Sequence, residues 1–266
     1  MRVDMSQTAD SPPVRRKRVA IVTGASGWIG SAVAPQLADL GYHLVLLGRR
    51  EEKLIALREQ IDSFATHTPT VLTADLTDYD AIQRIVVPTV AELGIPEVLV
   101  NTAGGWSGSH FGSFLSKDGV DLRAEIDDNL LTAVFMSRAF LPAMVENRYG
   151  RIINVSSIAG IIALEGHSAY SAAKAGHSGL ARQLAVEFGP MGITTNCVAP
   201  GAVLTPRAAE LLAASDVSLN TMLQMTPSGR LTTPDEVAEL VLFLASVDAA
   251  QINGQTIAID GGMTSA

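Results

Sequence analysis

Residues 18–30 read R-V-A-I-V-T-G-A-S-G-W-I-G, and this stretch decides the fold. Arg18-Val19-Ala20-Ile21-Val22-Thr23 is a short β-branched run of the kind that forms a strand. Ile29 to Leu40 then carries apolar residues at helical period and stops at Gly41. Between them lie Gly24, Gly27 and Gly30, so a strand, a glycine-rich turn and a helix follow one another, the opening of a βαβ unit.

The alternation continues outward. Strand-like runs recur at His43 to Leu47, Thr70 to Thr73, Glu97 to Asn101, Arg151 to Ser156, Ile193 to Ala199 and Thr256 to Asp260. Helical periods fall between them at 51–65, 78–93, 121–148, 169–189 and 234–247, the last opened by a cap and a first-turn proline, Thr233-Pro234-Asp235-Glu236. Nearly continuous apolar strands such as Leu44-Val45-Leu46-Leu47 suit a parallel sheet covered on both faces. With right-handed crossovers this predicts an α/β fold: a doubly wound, parallel, seven-stranded sheet of Rossmann type in a single domain, its ligands at the carboxyl ends of the strands. The expected catalytic domain is 17–266, preceded by a disordered tail over 1–16. The segment from Gly201 to Arg230 shows no clear period and is expected to form a lid.

Composition narrows the function. The chain has 266 residues, 47% hydrophobic, enough for one sizeable core. A net charge of −8 argues against a nucleic-acid partner, and the basic cluster Arg15, Arg16, Lys17, Arg18 reads as a solvated strand entry. Cys197 is the sole cysteine and lies in an apolar run, a buried thiol with no disulfide partner. No apolar stretch reaches the length of a membrane span, and no secretory leader is seen, so no membrane partner and a cytoplasmic location are expected.

The glycine turn between strand and helix lets backbone N–H groups approach a pyrophosphate at the positive end of the helix, with Ser26, Trp28 and Ile29 in the same turn. Where an NAD site carries a carboxylate at the end of the second strand, this chain has Leu47-Gly48-Arg49-Arg50. Arg49, with Arg50 beside it, suits a 2′-phosphate, so NADP is expected over NAD. Asp75, followed by Leu76, either accepts from an adenine amino group or caps the next helix.

Y-S-A-A-K (170–174), N-T-A-G-G (101–105) and I-N-V-S-S (153–157) together resemble the short-chain dehydrogenase/reductase family. The resemblance extends over about residues 17 to 263 and includes D-N-L (128–130), P-A-M (142–144), N-C-V-A-P-G-A-V-L-T (196–205) and a terminal D-G-G-M. It implies hydride transfer between a nicotinamide and a ketone or secondary alcohol. Tyr170 and Lys174 are four apart on a helix and share a face, so the Lys174 ammonium is expected to lower the Tyr170 pKa and make the phenol a general acid or base. Ser157, thirteen residues before the tyrosine, matches the residue that hydrogen-bonds the reacting oxygen, with Ser156 its neighbour and competitor. Asn129 matches the family asparagine that holds a relay water. Asn101, Ala103 and Gly104 resemble the adenine-side segment, Asn101 in a role open between support and contact. Pro200, Gly201, Val203 and Thr205 resemble the stretch beside the nicotinamide carboxamide.

Two departures matter. Trp28 stands where the commoner compact pattern has glycine, which is expected to alter packing at the helix start; the resulting glycine spacing is typical of the family's extended epimerases and dehydratases, although the chain lacks the length of their second domain. The last third looks most like 3-oxoacyl carrier-protein reductases, yet Val186 replaces a docking arginine that accompanies Arg148 there. A small-molecule substrate is therefore expected ahead of carrier-protein reduction, with a non-catalytic nicotinamide sensor as the alternative of another class. The substrate pocket is expected to be mainly apolar, lined by Trp106, His110, Phe111, Phe114, Ile158, Leu164, Glu165, His167 and parts of 203–225. No metal is expected, the histidines read as surface or rim residues, and segments 121–148 and 169–189 are expected to expose apolar faces that pair in a homo-oligomer, a tetramer.

Overall fold

In the computed structural model, residues 17–105, 112–206, 208–210 and 216–265 are described. Strands β1 (Arg18–Thr23), β2 (His43–Gly48), β3 (Thr70–Thr73), β4 (Ile95–Asn101), β5 (Gly150–Val155), β6 (Ile193–Pro200) and β7 (Thr256–Ile259) form one sheet in the order β3-β2-β1-β4-β5-β6-β7. Every neighbouring pair is parallel. The expected seven-stranded, doubly wound architecture is the observed one.

Both sheet faces are apolar because successive side chains point to opposite sides. Ala20 and Val22 join a core with Val33 and Leu37 of α1 (Trp28–Asp39) and Val241 and Leu244 of α7 (Pro234–Ala245). Val19 and Ile21 join the opposite core with Ile82 and Val86 of α3 (residues 79–93) and Met136 and Phe140 of α4 (residues 119–147). Each fully buried side chain of this size contributes about 1.5–3 kcal/mol relative to exposure, so neither face can be left uncovered. The remaining helices are α2 (Glu51–Asp62), α5 (Ser168–Phe188) and α6 (Asp216–Met225).

Three local features depart from the sequence reading. Both α3 and α4 are interrupted by π-helical turns, Ile82–Val86 and Asp127–Leu131. The segment 201–230, expected to lack period, contains α6, where the i, i+2 pairs Val217/Leu219 and Leu223/Met225 blur the helical period. The cap of α3 is Asp78, whose carboxylate accepts from Ala81 N at 2.9 Å; Asp75 instead closes a turn onto Thr77. The cap of α7 is as expected, a reciprocal box between Thr233 and Glu236 with Pro234 at the first turn.

The sheet order reverses between β1 and β4, which pair with Thr23 opposite Asn101. A crevice lined by the turns that leave these two strands opens above their carboxyl ends, the usual ligand site of such sheets. The expected tail over 1–16 and pocket residues Trp106, His110 and Phe111 lie outside the described residues. No helix among the described residues is long and apolar enough to cross a membrane.

Candidate active site

The floor of the crevice is backbone. Gly24 has φ +60, and a Cβ there would lie 2.9 Å from the Ala103 Cα and Thr102 O, so glycine is required where the two turns meet. A Cβ on Gly30 would lie 2.6 Å from Gly24 O, which lets α1 sit directly on the turn. Gly27 caps α1 without any side-chain hydrogen bond, leaving the positive helix end free of a side-chain anion. Gly24, Ser26, Gly27, Arg49, Arg50, Asp75, Leu76, Ala103 and Gly104 line a cleft of about 420 Å³. Trp28, Ile29, Val203 and Thr205 line a contiguous one of about 700 Å³ that shares Ser26, Gly27 and Gly104. A tight glycine turn, an uncapped helix start and a two-part cleft fit a dinucleotide pyrophosphate.

The charged groups of this cleft are loosely held. Arg49 Nη1 lies 3.8 Å from Asp128 Oδ2, an exposed pair worth little in water. Arg50 Nη2 donates to Ser26 O at 3.3 Å, across the glycine turn. The Asp75 carboxylate accepts from Thr77 N at 2.9 Å and Thr77 Oγ1 at 2.7 Å, and these bonds hold it below the usual carboxylate range although burial opposes them. Trp28, the first residue of α1, is 51% exposed and lines the second cleft together with Val203, Thr205 and Ala208.

Three residues expected near the cofactor line neither cleft. Asn101 is buried between strands, its Nδ2 donating to Asn154 Oδ1 at 2.9 Å, so it supports the sheet. Pro200 is buried at the end of β6, and Gly201 donates to Ile259 O at 3.0 Å with Asp260 packed over its Cα. Thr102, Thr77, Asp128 and Thr132 line the first cleft and went unnoticed in the sequence, where single threonines and aspartates carry no periodic signal.

A second cluster lies along α5. Tyr170 is half-buried, and Lys174, one turn later, is buried with Nζ 5.6 Å from the Tyr170 ring centroid. The ammonium donates to Val155 O at 3.0 Å, and burial pushes its pKa down to about 8. The expected lowering of the phenol by this ammonium is not what the structure has: burial pushes Tyr170 above its ordinary value, and a hydrogen bond with Ser157 draws it partly back. Ser157 Oγ also accepts from Ala159 N at 3.1 Å, while Ser156 Oγ is committed to Lys174 O at 2.7 Å. Gly160 permits this closeness, since a Cβ would come within 2.6 Å of the Lys174 carbonyl carbon.

Asn129 lies in the π-turn of α4, 3% exposed. Its Oδ1 accepts from Gly105 N at 2.8 Å, and its Nδ2 donates to Glu125 O at 3.1 Å. The expectation that the histidines sit at the surface or rim fails for two of them: His43 is buried beside Thr70, and His177 is buried with Nε2 2.6 Å from Asn129 O. The signal for His177 was its spacing, three residues beyond Lys174 and seven beyond Tyr170 on one helical face.

A recess of about 350 Å³ beside this cluster is lined by Phe114 and Leu164 together with Ser113, Glu165, His167 and Ser168. It is more mixed than the apolar pocket expected, because the turn before α5 is built of polar residues; Ile158 is buried at 3% exposure instead of lining it. Among the described residues no group of three or more His, Cys, Asp or Glu is arranged to hold a metal ion. On α4 and α5, Val120 and Val186 are largely exposed, and Leu122, Ile126, Leu130, Leu131 and Val134 are half-buried. Arg148 donates to Pro190 O at 3.1 Å, tied to the neighbouring backbone.

Known proteins bear out this class. A family model described as enoyl-(acyl carrier protein) reductase matches residues 24–264. The chain is 37% identical over 247 residues to the 2,3-dihydroxy-2,3-dihydro-p-cumate dehydrogenase of Pseudomonas putida, covering 93% of this chain and 94% of the relative. It is 35% identical over 254 residues to a 3-oxoacyl-[acyl-carrier-protein] reductase of Rickettsia bellii, covering 92% and 96%. A crystal structure of a short chain dehydrogenase/reductase family oxidoreductase from Burkholderia thailandensis superposes with a TM-score of 0.82 at 31% identity, covering 94% of both chains. The chain belongs to the short-chain dehydrogenase/reductase family of oxidoreductases.

Proposed function

We propose that this protein is a cytoplasmic NADP(H)-dependent oxidoreductase acting on a small-molecule ketone or secondary alcohol, with Tyr170 as general acid and base. The observation that carries the reading is the seam Ser157–Tyr170–Lys174, three groups of complementary chemistry beside a cleft whose backbone fits a dinucleotide. When bound, that nicotinamide group supplies or takes up the hydride. Gly24, Ser26, Gly27, Trp28, Ile29, Asp75, Leu76, Ala103, Gly104, Val203 and Thr205 would line its site, and Arg49 and Arg50 would meet a 2′-phosphate through guanidinium donors.

The chain's own chemistry is a proton transfer. Tyr170, a neutral phenol above its ordinary pKa, gives its proton to the carbonyl oxygen of the substrate as negative charge develops there. Ser157 steadies that oxygen, since Ser156 is already committed to Lys174 O. Lys174, near pKa 8, is poised to restore the proton, and Asn129 continues the path toward solvent. Oxidation of an alcohol runs through the same groups in reverse.

A second reading, reduction of a 3-oxoacyl group on a carrier protein, is favoured by the Rickettsia relative. Against it stand Val186 at a position where a docking arginine is expected and Arg148 tied to Pro190 O. Initial rates of NADPH and NADH oxidation over linear and cyclic ketones, diketones, β-ketoesters and a 3-oxoacyl carrier protein separate the readings, with Tyr170→Phe as control. Turnover confined to the carrier-protein thioester would favour the second, and tight cofactor binding without turnover a nicotinamide sensor. Assembly as a homotetramer belongs to the reading through the family; light scattering on the eluting peak tests it.

A further inference from the structure

One buried titratable group has no part in the reaction as set out. His177 is 1% exposed, and its Nε2 lies 2.6 Å from Asn129 O. A carbonyl only accepts, so Nε2 carries the hydrogen and the imidazole is fixed as that tautomer. Its Nδ1 is buried without a partner among the described residues. Burial, with Lys174 nearby, pushes the pKa down to about 3, so the ring is a neutral donor throughout the working range.

The acceptor is unusual in its turn. A π-turn breaks the regular ladder of an α-helix and such turns recur at functional sites. Within this one, Asp127–Leu131, two carbonyls take side-chain donors: Asp128 O from Thr132 Oγ1 at 3.2 Å and Asn129 O from His177. Gly176 of α5 lies against the same turn: a Cβ there would come within 2.8 Å of Leu130 Cδ2, which would have to turn aside. From Asn129 the connection runs on through Oδ1 to Gly105 N, and Gly104 and Gly105 are part of the second cleft wall. A Cβ on Gly104 would meet Asn129 Oδ1 at 2.7 Å, so the wall rests directly on this side chain.

We propose that His177 is a positioning residue of the hydride-transfer site, its Nε2–H holding the Asn129 carbonyl and thereby setting both the Asn129 side chain and the Gly104–Gly105 wall. It touches neither substrate nor cofactor; it joins the helix of Tyr170 and Lys174 to the turn that shapes the cleft. The role rests on the reductase reading above.

The test compares His177→Gln, whose amide nitrogen takes the place of Nε2, with His177→Leu, which fills similar space without a donor. With a ketone that the wild-type chain reduces and Tyr170→Phe does not, His177→Leu lowers kcat about tenfold or more with the ketone KM within about twofold, and His177→Gln stays within about threefold of wild type. Thermal midpoints check that both variants fold; if His177→Leu does not, His177→Asn, too short to reach the carbonyl, replaces it. Imidazole ¹⁵N shifts of the wild-type chain give a readout independent of turnover: a neutral Nε2–H tautomer from pH 8 to pH 5. Wild-type kcat in the Leu variant, equal losses in Gln and Leu, or a His177 signal that protonates near pH 6.5 overturns the role. A wild-type chain inactive on every ketone overturns the reductase reading itself, and the role with it.

Discussion

The glycine-turn side of the crevice and the α5 seam achieve opposite things with polar groups. Around Gly24, Arg49 and Arg50, the fixed part is backbone and the charges are in solvent: the Arg49 side chain is 73% exposed, and its nearest carboxylate is 3.8 Å away. Along α5, Lys174 and His177 are 4% and 1% exposed, and each donates to a main-chain carbonyl at 3.0 Å or less. An exposed guanidinium exchanges water for a phosphate at little cost, whereas a buried ammonium or imidazole has lost its hydration already on folding. That loss is why both buried groups titrate low, near 8 and near 3. One side leaves its charges in solvent, and the other buries its titratable groups against main-chain carbonyls.

The sharpest break of this contrast is Tyr170→Phe. It removes one oxygen from the seam and leaves the turn intact, so kcat falls by about 10²–10⁴ while the NADPH dissociation constant, read by fluorescence titration, stays within a few-fold. Loss of cofactor affinity instead would mean that the two regions are not separable. Arg49→Asp is the converse: removal of charge-assisted bonds of about 1.5–3 kcal/mol raises the NADPH KM roughly 10- to 100-fold and leaves NADH unaffected. Equal effects on both cofactors would place Arg49 outside phosphate recognition.

The third test titrates the seam. The unfolded imidazole protonates near 6.5 and the folded one near 3, so between these values the unfolded chain binds more protons and stability falls as pH drops. At about 1.4 kcal/mol per unit, His177 alone lowers stability by about 2 kcal/mol between pH 7 and pH 5. Denaturant titrations at both pH values show a smaller loss in His177→Gln. The smallest effect lies outside both regions. Thr233→Ala, which opens the capping box of α7, costs about 1 kcal/mol and lowers the thermal midpoint by a few degrees. Glu236, held near pKa 2 chiefly by Arg230, adds its part only above the ordinary carboxylate range and loses it as pH falls toward 2. A midpoint unchanged in Thr233→Ala would show the box to be redundant.

Much of this was legible in the sequence. Residues 18–30 with the later β-branched runs announce a parallel sheet, because a strand buried on both faces is apolar over most of its length, as Leu44 to Leu47 of β2 is. The glycine turn, Arg49, Asp75 and the Tyr170–Lys174 spacing were visible because each depends on local geometry: a dihedral, a strand end, a helical repeat. Asn101, left open between support and contact, could not be decided locally. Its neighbours Thr102 to Gly104 do form the cleft, but its own side chain points along the sheet to Asn154, a strand fifty-three residues away.

The sequence by itself determined the order of strands and helices, the single sheet and the face shared by Tyr170 and Lys174, since these follow from period and turn chemistry within short windows. Tertiary structure alone decided that Ser156 is committed to Lys174 O, where the Lys174 ammonium points, and that His177 meets Asn129. Those outcomes depend on how closely α5 approaches β5 and the π-turn, a distance set by Gly160 and Gly176 against partners far along the chain. Burial, which fixes the proton affinities of the site, exists only once those distant segments are packed together.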